Sequence, residues 1–181
     1  MSKKIILAVL TILLIAIGLW AMRQKVYQFI VTSHVNEELS GFALMDLQGN
    51  AIRSSTLKHK ILVLDFWSTW CGACLQSFPE FQSAYEKYRA NPSVVFLAVN
   101  MSRDGDTPEK VREFINAHRY TFPVAYDEGS KLSDRFEVKY LPTVLIVDRA
   151  GNIRLRHIGY SKTLENYSAL LSEHIDELLA K

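Results

Sequence analysis

Cys71 and Cys74 are the two cysteines of the chain, and they stand three residues apart in Trp70-Cys71-Gly72-Ala73-Cys74. Such a pair can exchange a disulfide, supply half of a zinc site, or be incidental. A closed zinc site needs about four ligands. His34, His59, His118, His157 and His174 are scattered rather than grouped, so no metal is expected. Nor is the spacing that of a disulfide-stapled secreted scaffold. Exchange needs one sulfur as a thiolate and a second within reach. If a helix begins at the pair, its free N–H groups and positive dipole end favour a thiolate at Cys71. Cys74 then lies on the same helical face and can close a disulfide, whose Cα atoms must come within about 4.4–6.8 Å. Cys71 reads as the nucleophile and Cys74 as the resolving thiol. Gly72 and Ala73 are small enough to let a partner chain approach, and Trp70 is expected to be exposed beside the nucleophile. No cofactor is expected beyond the Cys71–Cys74 disulfide itself.

The elements around the pair supply that helix start. Ile61 to Trp67 is an apolar run broken only by Asp65, which predicts a strand covered on both faces. From Cys71 onward the period changes. Cys74, Phe78, Phe81, Tyr85 and Tyr88 recur at three and four, a helical stripe facing a core. Pro79 should bend this helix rather than end it, because the stripe continues beyond it.

Before this unit, Phe42 to Arg53 reads as a hairpin turning at Gly49 and Asn50. After it, Val94 to Val99 predicts a second buried strand. Thr107-Pro108 opens a helix with a capping hydroxyl and a first-turn proline, its apolar face formed by Val111, Phe114, Ile115 and His118. A short strand near Val124, a short helix from about Ser130 to Phe136, and a hairpin of Thr143–Val147 with Asn152–Ile158 follow. A last helix is expected from about Thr163. The order predicts an α/β fold with a mixed central sheet and helices on both faces.

Ile5 to Met22 is eighteen residues long and uncharged, preceded by Lys3-Lys4 and followed by Arg23 and Lys25. As a helix it would span about 27 Å, close to the roughly 30 Å of a bilayer core. A cleaved signal peptide would have a shorter apolar region ending in small residues, and Leu19 and Ala21 make a poor cleavage site. The segment is read as an uncleaved single-pass signal anchor, with a cleaved signal or a buried helix as the alternatives. The flanking charges nearly balance, so orientation rests on a short tail left in the cytoplasm and the long domain exported. The expected organisation is an anchor at 1–23, a linker at 24–39 and one domain at 40–181.

Composition narrows the function further. Twenty-one basic residues against 19 acidic ones leave a net charge of +2, with no basic stripe interleaved with aromatics. Nucleic-acid binding is therefore not expected.

The run Leu62-Val-Leu-Asp-Phe-Trp-Ser-Thr-Trp-Cys-Gly-Ala-Cys74 resembles the active-site strand and turn of the thioredoxin superfamily. The anchor, the leading hairpin, the helix inserted between Met101 and Phe122, and Leu141-Pro142-Thr143 add a narrower likeness. It is to the membrane-bound thioredoxin-like thiol-disulfide oxidoreductases of bacterial envelopes, of the cytochrome c maturation type, over about residues 40 to 180. The resemblance implies a thioredoxin fold and a cis Leu141–Pro142 peptide whose loop, with Thr143, faces the cysteines and pairs with a substrate strand. It matches Asp65 to the buried carboxylate that accepts the proton of the second cysteine. An acid in an apolar strand should also have a raised pKa, although a strand Asp can instead serve only backbone groups. The implied partners are protein thiols and disulfides, apocytochrome c among them, with a membrane thiol carrier as electron donor. The implied location is the inner membrane, with the domain on the extracytoplasmic side. Two positions depart from the pattern. Ser77 stands where the subfamily usually has a glutamate, and the lysine of thioredoxin has no counterpart near Ala98, Val99 and Asn100.

Two other functions share these features. A thiol peroxidase would place a threonine where Ser68 stands and recruit an arginine. A non-enzymatic peptide-binding or assembly module would use the same groove without the thiols.

Overall fold

The run from Ile61 becomes the middle of a sheet because both of its faces find apolar cover. In the computed structural model, which describes residues 11, 13–20, 32–33, 41–161 and 166–181, eight strands pair in one mixed sheet among the described residues. They are β1 (Thr32–Ser33), β2 (Ala43–Asp46), β3 (Ala51–Arg53), β4 (Ile61–Trp67), β5 (Val94–Asn100), β6 (Val124–Tyr126), β7 (Thr143–Val147) and β8 (Ile153–Ile158). Their order is β1-β8-β7-β4-β5-β6-β2-β3. β4 runs parallel to β5, with Trp67 opposite Asn100. It runs antiparallel to β7, with Phe66 opposite Thr143.

Every residue of β4 is buried. Ile61, Val63 and Trp67 pack on one face beneath helix α1 (Gly72–Tyr88), α2 (Pro108–His118) and α4 (Tyr167–Leu179). Leu62, Leu64 and Phe66 pack on the other face against Phe42, Leu44 and residues in and beside the short helix α3 (Lys131–Arg135). This two-sided burial is why the strand shows no alternation in sequence.

α1 carries the heaviest packing. Phe78 meets Trp67, Tyr120 and Phe122 edge-on at 4.9–5.2 Å between ring centroids, and Phe81 meets Phe122 at 5.1 Å. Pairs of this geometry add about 0.5–1.5 kcal/mol beyond the area they bury. The helix runs on through Pro79, whose ring lies on the exposed side.

The leading hairpin turns as read, with Gly49 at φ +87°. Asp46 fixes the turn by accepting from the backbone N–H groups of Gln48 and Asn50 at 2.8 Å each. The Asn50 side chain and these N–H groups hold its carboxyl below the usual range. β2 also pairs with β6, so the hairpin extends the sheet.

Two readings, those of Thr32–Ser33 and of His118, differ from the structure, and the start of the last helix falls partly outside the described residues. Thr32 and Ser33, placed in the linker, pair with His157 and Arg156 of β8. α4 begins at Tyr167, where the Asn166 side chain accepts from the Ala169 N–H at 3.0 Å; the expected start at Thr163 lies outside the described residues. His118 is exposed rather than part of the apolar face, and its ring stacks on Phe114 at 4.1 Å. Of the segment read as an anchor, residues 11 and 13–20 are described and are helical and exposed, and the remainder lies outside the described residues. Among the described residues no helix is long and apolar enough to cross a membrane.

Candidate active site

β4 ends at Trp67, and a short turn of Ser68, Thr69 and Trp70 delivers the chain to α1. Cys71 caps that helix. Its Sγ accepts from the Cys74 N–H at 3.1 Å, so the sulfur sits among the free N–H groups of the first turn. This is where a helix best stabilises negative charge. Cys71 and Cys74 form a disulfide with Cα atoms 5.3 Å apart. Cys71 keeps 6% of its surface exposed and Cys74 none, so a partner sulfur can reach only the first.

The surface beside the pair is open. A Cβ built on Gly72 would meet nothing within 4 Å, so the space above it is open. Trp70 is 53% exposed, and Ala73 is half-buried. A cavity of about 780 Å³, lined by Lys58, Lys60 and Arg149 among others, opens at the opposite end of β4, far from the sulfurs.

The pairing of Phe66 with Thr143 brings the loop before β7 to the same edge as the cysteine turn. The Leu141–Pro142 peptide is cis. Leu141 is half-buried and packs against both faces of the core, while Pro142 is buried. The Pro142 carbonyl accepts from the Gly159 N–H at 2.7 Å, and the Thr143 hydroxyl donates to the Tyr140 carbonyl at 2.7 Å. These bonds tie the loop to β8 and fix its shape.

Asp65 lies wholly buried in β4, two residues before Trp67 and on the strand face that α1 covers, with Ala98 and Val144 as its cross-strand neighbours. Neither carboxyl oxygen has a hydrogen-bond partner among the described residues. Burial alone pushes its pKa well above the ordinary carboxylate value. The backbone-serving reading of Asp65 thus finds no bond to support it. Ser77, at the glutamate position, is buried and donates its hydroxyl to the Cys74 carbonyl at 2.9 Å. It supplies no ionisable group, which leaves Asp65 as the acid beneath α1 on this strand.

Two neighbours were not singled out from the sequence. Tyr140 is 69% exposed beside the Leu141–Pro142 loop; an aromatic just before a Leu-Pro step was the available signal. Asp106 holds Thr69, two residues before Cys71. Asn100, a polar residue ending an otherwise apolar strand, was the sign of that network.

A mixed sheet with a disulfide at the start of the helix after its central strand, facing a cis-proline loop, defines a thioredoxin-fold thiol-disulfide oxidoreductase. The chain belongs to the AhpC/TSA family, whose model matches residues 35–156. It is 33% identical over 135 residues to the thiol-disulfide oxidoreductase ResA of Bacillus anthracis, covering 74% of this chain and 76% of that protein. It is 30% identical over 159 residues to the thioredoxin-like protein YneN of Bacillus subtilis, covering 88% of this chain and 92% of that one. Among solved structures, StoA from Bacillus subtilis matches with a TM-score of 0.62 at 27% identity, over 73% of this chain and 93% of that one.

Proposed function

We propose that this thiol-disulfide oxidoreductase works as a reductant of envelope protein disulfides, of the cytochrome c maturation type, with Cys71, Cys74 and Asp65 carrying the chemistry. The observation that supports this most is the asymmetry of the pair, one sulfur reachable at a helix start and the other sealed beneath it. In the reduced protein the Cys71 thiolate attacks a partner disulfide. An S–S bond forms between Cys71 and the partner, and the partner's second sulfur leaves as a thiolate. Asp65 in its carboxylate form takes the Cys74 proton, directly or through a water. The Cys74 sulfur then attacks Cys71 Sγ, closing the intramolecular disulfide and releasing the partner with both sulfurs reduced. Two electrons pass from the protein dithiol to the partner.

Trp70, Gly72, Ala73, Leu141, Pro142 and Thr143 form the surface on which the partner strand lies. The dithiol needs no cofactor, and a membrane thiol carrier restores it. Ile5–Met22 anchors the domain to the inner membrane on its extracytoplasmic side, and apocytochrome c is among the partners.

The test is the reduction potential of the full chain, equilibrated with defined thiol-disulfide buffers and read by counting free thiols. A value near the thioredoxin figure of about −270 mV supports a reductant, and one near about −120 mV marks an oxidant. Peroxide turnover at Cys71 in place of disulfide exchange would make the chain a thiol peroxidase. A phenotype that survives Cys71→Ser would leave the non-enzymatic binding module.

A further inference from the structure

Asp106 is buried in the loop between β5 and α2, outside the groups that carry the exchange chemistry. One carboxylate oxygen accepts from the Thr69 N–H and from the Asn100 side-chain amide, each at 2.8 Å. The other accepts from the Thr69 hydroxyl and faces the Lys110 ammonium at 3.6 Å. The Asp106 carbonyl accepts from the Tyr126 hydroxyl at 2.8 Å, which fastens the loop to β6. Asn100 stands opposite Trp67 at the ends of the two central parallel strands, and its own side-chain oxygen accepts from the Ser102 N–H at 3.0 Å.

A buried carboxylate is costly unless its oxygens are filled by donors. Here two of the donors belong to one residue, Thr69, next to Trp70 and two before Cys71. The Ser68–Trp70 turn has little else of its own to hold it. The Cys71 N–H to Ser68 carbonyl bond, 3.1 Å, is internal to the turn, and the Ser68 hydroxyl has no partner among the described residues. The carboxylate therefore joins the turn to the end of the sheet from a distant part of the chain.

We infer that Asp106 is a positioning residue for partner recognition. By holding Thr69 through both its N–H and its hydroxyl, it fixes the turn that presents Trp70 to a protein substrate, while Cys71 is held by its own place at the helix start. A small disulfide needs only Cys71, whereas a protein must also dock across Trp70, so the two classes of substrate separate the role. The inference rests on the exchange activity alone and holds for either direction of electron flow.

The full chain is reduced beforehand with dithiothreitol, freed of it, and mixed with excess insulin as a protein disulfide or excess oxidised glutathione as a small one. The rate of its own oxidation is followed against substrate concentration, its maximum and half-saturation serving as kcat and KM. Thr69→Val removes the hydroxyl and keeps the N–H; Asp106→Ala removes the acceptor of both. Both variants are expected to raise KM for insulin about five- to tenfold, with kcat and the oxidised glutathione rate within about twofold of the parent. Thr69→Ser keeps both donors and should return KM to within about twofold. If Asp106→Ala does not fold, the Thr69→Val and Thr69→Ser pair decides the matter. An unchanged KM in Thr69→Val overturns the inference, as does a fall in the insulin and glutathione rates by the same factor, which marks general destabilisation. A parent chain inactive on both substrates would instead remove the exchange activity itself.

Discussion

Phe66 of β4 stands directly opposite Thr143 of β7 in the antiparallel pair at the centre of the sheet. Because the two strands run in opposite directions, the chain leaving β4 towards Cys71 and the chain entering β7 from Pro142 meet at one edge, about 5 Å apart. The cysteine turn and the cis-proline loop are thus placed by a single register, and the effects of changing each under the proposed roles can be stated.

Cys74→Ser leaves the attacking sulfur and removes the resolving one. The reduced variant is expected to accumulate a stable mixed disulfide with insulin, visible as a thiol-sensitive species on non-reducing gels. Cys71→Ser should form none and lose exchange by a factor of about 10³ or more. A mixed disulfide on Cys74 in the Cys71→Ser chain would reverse the assigned order of the sulfurs.

Asp65→Asn keeps the shape and removes the carboxylate proposed to accept the Cys74 proton. The resolving step should slow by about a hundredfold at neutral pH, measured as decay of the mixed disulfide. A parent-like decay would show that Cys74 loses its proton elsewhere.

The same carboxyl makes stability depend on pH. Its folded pKa lies well above the unfolded value because burial disfavours the charge. Between the two values the native state binds more protons than the unfolded state, so stability is full below about pH 4 and falls as pH rises through the folded pKa. Each unit of elevation corresponds to about 1.4 kcal/mol. Urea midpoints of Asp65→Asn should therefore exceed those of the parent increasingly above pH 4 and level off once the parent Asp65 is ionised. A constant difference across pH would contradict the assignment.

Trp70 and Tyr140 flank the site and are largely exposed. Truncating either to Ala should change stability by no more than about 0.5 kcal/mol. The same change should raise KM for insulin by about tenfold, as loss of a binding anchor does. Chemical denaturation alongside the oxidation-rate assay with insulin reads both quantities.

Phe78→Ala should cost about 3–5 kcal/mol. The ring is fully buried between Trp67, Tyr120 and Phe122, where a void cannot close without moving three aromatics. A shift in the urea midpoint at constant slope would report it.

Much of the fold was legible because it is written in local periods. The unbroken Ile61–Trp67 run and the three-four spacing from Cys74 to Tyr88 mark a central strand and its covering helix, and Gly49 marks the hairpin turn. What stayed hidden depends on contacts between distant residues. Thr69 and Asp106 are separated by 37 positions, and no period links them. Thr32 and Ser33 carry no strand pattern and gain theirs from β8. His118 keeps helical spacing yet lies at the last turn, where the core ends and its exposed ring stacks on Phe114 and Tyr120. The Leu141–Pro142 geometry came from the family likeness rather than from the residues themselves.

The burial of Cys74 also sets what the site ignores. Free thiols in the surroundings can attack a disulfide at either sulfur unless one is shielded, and here only Cys71 is open to them. Electrons therefore enter and leave through one atom, and stray small thiols cannot open the pair from its inner end.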